Sequence, residues 1–256
     1  MRQIAFIISF YLTVGFLDAQ VKQSNPKSFA AKKGVILQFT YMYQMPQADL
    51  AKRFDNNSAV GSGLYLKGIS NTFYGIEGNF MFGGTLKEKN IFDQITDVDG
   101  KAMDVKYVPV LIQGKQRAFN LMLKAGKIFS FNASNRNSGL MLSAGIGYLE
   151  HWIRLDNATQ SVAALQGDLA YGYDRLTGGF ALNQFVGYQY LDKKIRVNFF
   201  AGFEFGQAFT KSIRKYHYDL RTSLPEPRLD AYTAFKFGWL LPIYSNSNAE
   251  REYEFR

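Results

Sequence analysis

The chain has 256 residues, of which 47% are apolar and 16% aromatic, with no cysteine and a formal net charge of +9. The missing cysteine excludes disulfides, thiolate metal sites and cysteine nucleophiles, and the apolar content excludes a disordered chain. The cations are scattered between apolar segments and form no basic tract with a binding motif, so we expect no nucleic-acid partner. The 23 glycines and the excess of Phe and Tyr favour an all-β protein.

The N-terminal stretch MRQIAFIISFYLTVGFLDAQ has the form of an export signal. Arg2 supplies a positive start, and 4–16 is an apolar run that is short for a membrane-spanning helix. The LDA sequence at 17–19 is similar to a signal-peptide cleavage site. We therefore assign residues 1–19 to a cleavable signal peptide; the alternative is a buried N-terminal strand or helix.

The rest of the chain shows strand-like segments in which apolar and polar residues alternate with a period of two. Each apolar face is long enough to cross a hydrocarbon layer, since a tilted strand needs about 9–11 residues. The stretch PQADLAKRF, 46–54, is a candidate short helix. Strand 179–190 places Gln184 on its apolar face, which indicates a bulge or a shifted register. The predicted strands are 33–43, 60–67, 72–83, 118–129, 140–154, 179–190, 195–209 and 229–241.

The connections between these strands alternate between long and short. This alternation is typical of outer-membrane barrels, which have short periplasmic turns and long extracellular loops. We therefore predict an all-β, eight-stranded antiparallel up-and-down transmembrane barrel over 20–244. Both termini are then periplasmic, and 245–256 is a short periplasmic tail. The long connections are 44–59, 84–117, 155–178 and 210–228.

The polar face of the strands carries ionisable residues of both signs. Eight strands enclose an interior that side chains just fill, so charges there can pair across the lumen. The prediction is a packed polar plug, and the alternative is a narrow path for a solute or proton. The residues of this predicted lumen network are Lys67, Glu77, Lys124, Arg196, Glu204, Asp230 and Lys236.

The sequence offers little catalytic chemistry. His151 lies beside Glu150, with Ser143 on the same strand face, and such a set at a barrel rim is the basis for an alternative lipid-modifying enzyme. The simpler interpretation is an interfacial His beside Trp152. DVDG at 97–100 lacks the downstream Glu of a calcium loop and favours a turn, flanked by FDQIT and KAMDV as a small hairpin. We predict no enzymatic activity, no metal and no cofactor.

The last long loop, KSIRKYHYDLRTSLPEPR, is rich in cations. Guanidinium groups bind phosphate well, so lipopolysaccharide is a candidate partner beside ordinary outer-membrane lipid. The alternative is a solvated loop without a ligand. The candidate glycolipid contacts are Lys211, Arg214, Lys215 and Arg221.

Five stretches resemble a family of small outer-membrane β-barrel proteins of the Bacteroidota, and the similarity covers most of the mature chain. The tail REYEFR is similar to the aromatic-rich ends of such chains, although Arg256 follows Phe255. The stretches are IEGNFMFG (76–83), GIGYLEHWIRL (145–155), GYDRLTGGFAL (172–182), FFAGFEFGQAFTK (199–211) and GWLLPIY (238–244).

The resemblance implies an integral outer-membrane protein with no enzymatic residues to carry over. The resemblance also implies that the chain can serve as a subunit of an envelope machine, either the outer-membrane protein assembly complex or the type 9 secretion apparatus. Asp174 and Arg175 in YDRLTGG are candidate partner contacts, and the alternative is that they fix their own loop. A free-standing surface-binding barrel remains a further alternative, supported by the long loops 84–117 and 210–228.

Overall fold

The structure is a computed structural model. It describes residues 31, 33–88, 90–132, 135–155, 161–192, 197–221 and 227–244. The predicted signal peptide and C-terminal tail therefore lie outside the described residues.

The described chain is built almost entirely from antiparallel strands. A short helix, α1 (Ala48–Arg53), follows the first strand, as the sequence predicted for 46–54. The strands are β1 (Gly34–Gln47), β2 (Asn57–Lys67), β3 (Thr72–Thr85), β4 (Lys101–Met103), β5 (Pro109–Leu111), β6 (Gly114–Phe129), β7 (Gly139–Leu155), β8 (Thr177–Leu191), β9 (Asn198–Ser212) and β10 (Arg228–Tyr244).

Eight of these strands close into a barrel in the order β1-β10-β9-β8-β7-β6-β3-β2, and β4 and β5 form a separate hairpin. Every barrel neighbour is antiparallel, and the ring closes where β1 pairs with β10. The predicted eight-stranded, antiparallel, up-and-down fold is confirmed. We call the end where β2 joins β3 the short-turn end, and the opposite end, which carries α1 and the β4–β5 hairpin, the long-loop end.

Two local expectations need correction. Strand 179–190 has no bulge, because β8 pairs with β7 and β9 in one continuous register. Gln184 does face outward, where its amide donates to Gln207 Oε1 at 3.1 Å. A register shift occurs instead in β3, between Gly83 and Thr85. In the small hairpin, KAM pairs with PVL and not with FDQIT. Asp104 closes the hairpin turn, because its Oδ1 accepts the backbone N–H groups of Lys106 and Val108. DVDG forms a separate turn, in which Asp97 Oδ1 accepts the backbone N–H groups of Asp99 and Lys101.

The two faces of the barrel wall have opposite polarity. Large apolar side chains point outward and are substantially exposed, for example Leu123 at 61%, Trp239 at 58% and Phe203 at 49%. Their neighbours along each strand point inward and are mostly buried. This is the reverse of a water-soluble barrel and is the alternation of a barrel whose outer wall faces lipid. Among the described residues, no helix is long and apolar enough to cross a membrane.

Side chains fill the interior in successive levels from one end to the other. An aromatic and aliphatic cluster that includes Tyr65, Phe185 and Phe200 lies towards the short-turn end. A level of small and flexible residues, including Met81, Ala118 and Ala208, lies towards the long-loop end. Buried charged residues lie between these two clusters. A third apolar cluster, which includes Phe54, Ile91 and Leu165, covers the long-loop end.

Candidate functional site

Four charged side chains form a square across the lumen between the two apolar levels. Glu77 on β3 and Glu204 on β9 alternate with Lys124 on β6 and Lys236 on β10. Lys124 Nζ lies 2.8 Å from Glu77 Oε1 and 2.7 Å from Glu204 Oε2, and Lys236 Nζ lies 2.6 and 2.9 Å from the same two atoms. The four side chains are at most 3% exposed. We call this group the ionic plug.

Neutral donors complete the hydrogen bonding of the ionic plug. Glu77 Oε2 accepts the Tyr65 hydroxyl at 2.7 Å and the Gln38 amide at 2.9 Å, and Glu77 Oε1 accepts the Asn79 amide at 2.9 Å. Tyr232 donates its hydroxyl to Glu204 Oε1 at 3.2 Å. Buried charges cost several kcal/mol each unless they are paired and hydrogen-bonded, and here both conditions hold. The plug therefore ties the β3–β6 wall to the β9–β10 wall.

Two glycines give the plug its space. A Cβ at Gly145 would lie 2.7 Å from Lys124 Cγ, and a Cβ at Gly206 would lie 2.3 Å from the ring of Tyr232. Both distances are shorter than real Cβ contacts, so any larger residue would displace a side chain that serves the plug. Glycine at these two positions therefore allows the side chains of the plug to pack close to the backbone.

The remaining predicted lumen residues lie elsewhere in the interior. Lys67 is 2% exposed near the short-turn end, where its Nζ donates to Asn137 Oδ1 at 3.0 Å. Asp230 is buried near the long-loop end and does not contact the ionic plug. Arg196 lies outside the described residues.

His151 is not at the outer rim beside Trp152, so that expectation was wrong. Even-numbered residues of this part of β7 point outward and odd-numbered ones inward, which buries His151 completely in the lumen. Its Nε2 lies 2.9 Å from Asp230 Oδ2, and the Thr210 hydroxyl donates to the same oxygen. Ser143 lies eight residues away along β7, about 26 Å at about 3.3 Å per residue. The distance excludes a direct His151–Ser143 pair.

His151→Ala is expected to destabilise the barrel by about 1–3 kcal/mol, because Asp230 loses a buried hydrogen-bond partner. Urea unfolding in lipid vesicles measures this change, with Ser143→Ala as a control. We expect the outer-membrane lipid profile, measured by mass spectrometry, to stay that of the wild type. An altered lipid profile at unchanged stability would instead favour the lipid-modifying enzyme.

At the long-loop end, a second charge network joins four segments of the chain. Arg53 at the end of α1 donates Nε to Glu88 Oε2 at 2.9 Å, and Arg175 donates Nη2 to Glu88 Oε1 at 2.9 Å. Arg175 also binds the Asp219 carboxylate through both Nη atoms. We call these four residues the cap network. Because each comes from a different segment, the network fixes the loops over the barrel mouth.

The two arginines of the cap network lower the pKa of Glu88. Burial alone would raise the pKa of this carboxyl, but the guanidinium groups of Arg53 and Arg175 hold it below its ordinary value of 4.5. Glu88 therefore stays ionised, and its pairing stabilises the cap at neutral pH.

The candidate partner contacts Asp174 and Arg175 bind within their own loops, which favours the alternative that they fix those loops. Arg175 is 3% exposed and is held by Glu88 and Asp219. Asp174 binds Arg214, whose guanidinium also stacks 4.2 Å from the centre of the Tyr171 ring. Arg214 is therefore paired with Asp174 while its side chain stays 27% exposed, and its role as a glycolipid contact stays a prediction. The other candidates, Lys211, Lys215 and Arg221, are exposed.

One polar pair in the last loop has no recognisable pattern in the sequence. Ser212 Oγ lies 2.7 Å from His217 Nε2, and burial lowers the pKa of His217 below its ordinary value. Among the described residues, no group is bonded to His217 Nδ1. A nucleophile–base pair needs a third group that orients the base, and this pair has none in the described part of the chain.

No family model and no curated protein sequence matches the chain. Neisserial surface protein A is a similar solved structure, with 9% identity, a TM-score of 0.43 and coverage of 80% of this chain and 96% of that one. Ail of Yersinia pestis has 13% identity, a TM-score of 0.41 and coverage of 82% and 99%. The outer-membrane protein OprG of Pseudomonas aeruginosa has 12% identity, a TM-score of 0.38 and coverage of 85% of this chain and 99% of that one.

At these identities and TM-scores, the similar structures carry no argument about what this chain binds or does. The barrel is established by the strand pairing of the chain itself. The resemblance to small barrels of the Bacteroidota stays a prediction.

Proposed function

We propose that the chain is an integral outer-membrane β-barrel without enzymatic activity, which serves as an accessory subunit of an envelope protein complex. The outer-membrane assembly machinery and the type 9 secretion apparatus are the two candidate complexes. Exposed apolar side chains around the outer wall support the membrane location, because water-soluble proteins rarely expose an apolar surface of this extent. In this proposal both termini are periplasmic and the long-loop end is extracellular.

The plugged lumen is the observation that carries the proposal. The ionic plug lies between two apolar levels, and a third apolar cluster covers the long-loop end. Narrow barrels with filled interiors do not conduct solutes. The barrel then acts through its outer wall and loops, as a subunit that contacts other proteins would.

The β4–β5 hairpin offers a surface for such a contact. It carries large apolar side chains that are more than half exposed: Tyr107 is 86% exposed, Met103 59% and Val105 55%. Isolated exposed apolar residues are ordinary on protein surfaces, whereas a group on one hairpin marks an interaction site. We assign this hairpin as the contact with the protein partner.

Co-purification from native outer membranes in mild detergent tests the subunit role. We expect wild type to recover a stoichiometric partner and the variant Val105→Ser/Tyr107→Asn to lose it. Ile69→Ser is the matched control, because Ile69 is 74% exposed at the short-turn end. If no stoichiometric partner is recovered with the wild type, the subunit role is contradicted. If the hairpin variant and Ile69→Ser recover equal amounts of the partner, the hairpin is not the contact.

A free-standing surface-binding barrel is the second candidate, and the same hairpin favours it. In this case the apolar tip contacts a molecule outside the cell instead of a neighbour in the membrane. The two candidates separate in the experiment above: a free-standing barrel recovers no membrane partner, yet its hairpin variant loses adhesion to an external target on intact cells.

A further inference from the structure

We propose that the outer wall of β6 and β7, at the long-loop end, binds the phosphate groups of a membrane glycolipid of the lipopolysaccharide class. The residues that bind are Lys115, Arg117 and Arg154, which we call the outer cation patch. The inference rests on the proposed outer-membrane location, because it needs the patch to lie at the surface of the outer leaflet. It places the glycolipid on the barrel wall and not on the loop cations singled out from the sequence.

The outer cation patch brings like charges together without compensation. Lys115 is directly opposite Arg154 in the β6–β7 register, and Arg117 is two pairs further along on the same face, opposite Trp152. Like charges directly opposite each other on one sheet face are destabilising. Among the described residues, none of the three has an acidic partner; the nearby carboxylate of Glu150 accepts the Tyr148 hydroxyl at 3.0 Å. A bound anion would remove this repulsion.

The position of the patch along the barrel matches that of lipid phosphates. Towards the short-turn end, the same face of β6 continues with exposed apolar side chains, Phe119 at 37% and Leu121 at 50%. The cations therefore begin where the apolar wall ends. Arginine matches phosphate geometry with two parallel donors, and a cation near a membrane surface contributes about 1 kcal/mol to binding of anionic lipid. The other charged side chains on the outer wall of the described barrel strands are Lys127, Glu150 and Lys211.

A groove beside the patch distinguishes a glycolipid from a simple phospholipid. It has a volume of about 540 Å³ and lies between the outer face of β7 and the loop that precedes β8. Arg154, Trp152 and Tyr171 line it together with Gln166 and Glu150. Its far side is fixed by the Asp174–Arg214 ion pair. A groove with aromatic faces and polar groups fits a sugar that is attached to the phosphate, which a phosphatidylglycerol headgroup lacks.

The test measures lipid retention by the purified barrel in nanodiscs of neutral phosphatidylcholine. Bisphosphorylated lipid A, enzymatically dephosphorylated lipid A and phosphatidylglycerol are added separately, and bound lipid is counted by native mass spectrometry. The variant is Arg117→Gln/Arg154→Gln. The matched control is Lys127→Gln/Lys211→Gln, which removes the same charge from the same wall at other places.

We expect wild type to retain bisphosphorylated lipid A at least about tenfold more strongly than the other two lipids, and the patch variant to lose that advantage. The control variant should retain it. Equal retention of dephosphorylated lipid A, or an equal loss in the control, would overturn the phosphate site. Equal retention of phosphatidylglycerol would overturn the glycolipid assignment. None of these results depends on a protein partner, so the co-purification test of the subunit role can fail or succeed independently.

Discussion

Glu77→Gln is expected to lower the free energy of unfolding of the barrel by about 3–5 kcal/mol, the range for breaking a buried ion pair by removing one partner. Glu77 accepts hydrogen bonds from Lys124, Lys236, Tyr65, Gln38 and Asn79. Glutamine has nearly the same shape, but its amide nitrogen would face donors where the carboxylate offered an acceptor. The substitution also leaves the two lysines with one carboxylate between them.

Urea unfolding in lipid vesicles, followed by the difference in gel mobility between heated and unheated samples, measures this loss. Lys127→Gln on the outer wall removes a charge without entering the lumen and serves as the control. The double variant Glu77→Gln/Lys236→Met restores neutrality inside the barrel. We expect the double variant to lose less free energy of unfolding than the two single variants lose together, because residues in one ion-pair network couple.

Additive effects of the two substitutions would show that the ionic plug is not an energetic unit. Wild-type stability of Glu77→Gln would be a stronger contradiction, because it would mean that the lumen admits enough water to solvate the unpaired charge. In that case the alternative of a narrow solute or proton path through the barrel would gain support.

The barrel was predictable because its signal is local and periodic. Residues such as Phe203 and Glu204 differ in polarity at a period of two, and that period sets which one points outward once a strand forms. Few folds are compatible with eight strands that each carry one apolar face and are joined by alternating long and short connections. The predicted strand 195–209 begins at Asn198 in the structure, since strand ends lie where periodicity fades.

The contacts inside the lumen and between the loops above it could not be predicted from local periodicity. Glu77 and Lys236 are 159 residues apart, and only ring closure between β1 and β10 brings their strands to facing walls. His151 illustrates the same limit, since its partner Asp230 lies 79 residues away. The cap network depends on loops without any repeat, so nothing in YDRLTGG could separate a loop-fixing Arg175 from a partner contact.

Arg175→Gln is expected to open the loop cap while the barrel stays folded. Arg175 has a φ of 51°, in the left-handed region that costs a bulky residue energy unless its surroundings impose it. Its bonds to Glu88 and Asp219 impose it here. Their loss leaves Asp219, with a side chain 7% exposed, without this cation, and we expect a local cost of about 2–3 kcal/mol.

Hydrogen exchange measured on the purified barrel reports this opening. Amides in the loops on either side of the cap should exchange about 30- to 150-fold faster, and amides of the barrel strands should not change. Arg221→Gln is a matched control, because Arg221 has a φ of 50° but an exposed side chain. Equal acceleration in both variants would assign the effect to backbone strain and not to the ion pairs.

Acidification should reproduce the Arg175→Gln phenotype in the wild-type protein. The pKa of Glu88 is lower in the folded cap than its ordinary value of 4.5, so its contribution is complete above that value. The contribution is lost as the pH falls through the lowered pKa of the folded state. Loop exchange, corrected for the intrinsic effect of pH, should therefore accelerate below about pH 4.5 in wild type and in Arg221→Gln. Arg175→Gln should respond less, because its Glu88 has already lost one of the two cations that lower its pKa. A cap that stays protected at low pH would contradict the ion-pair origin of loop closure.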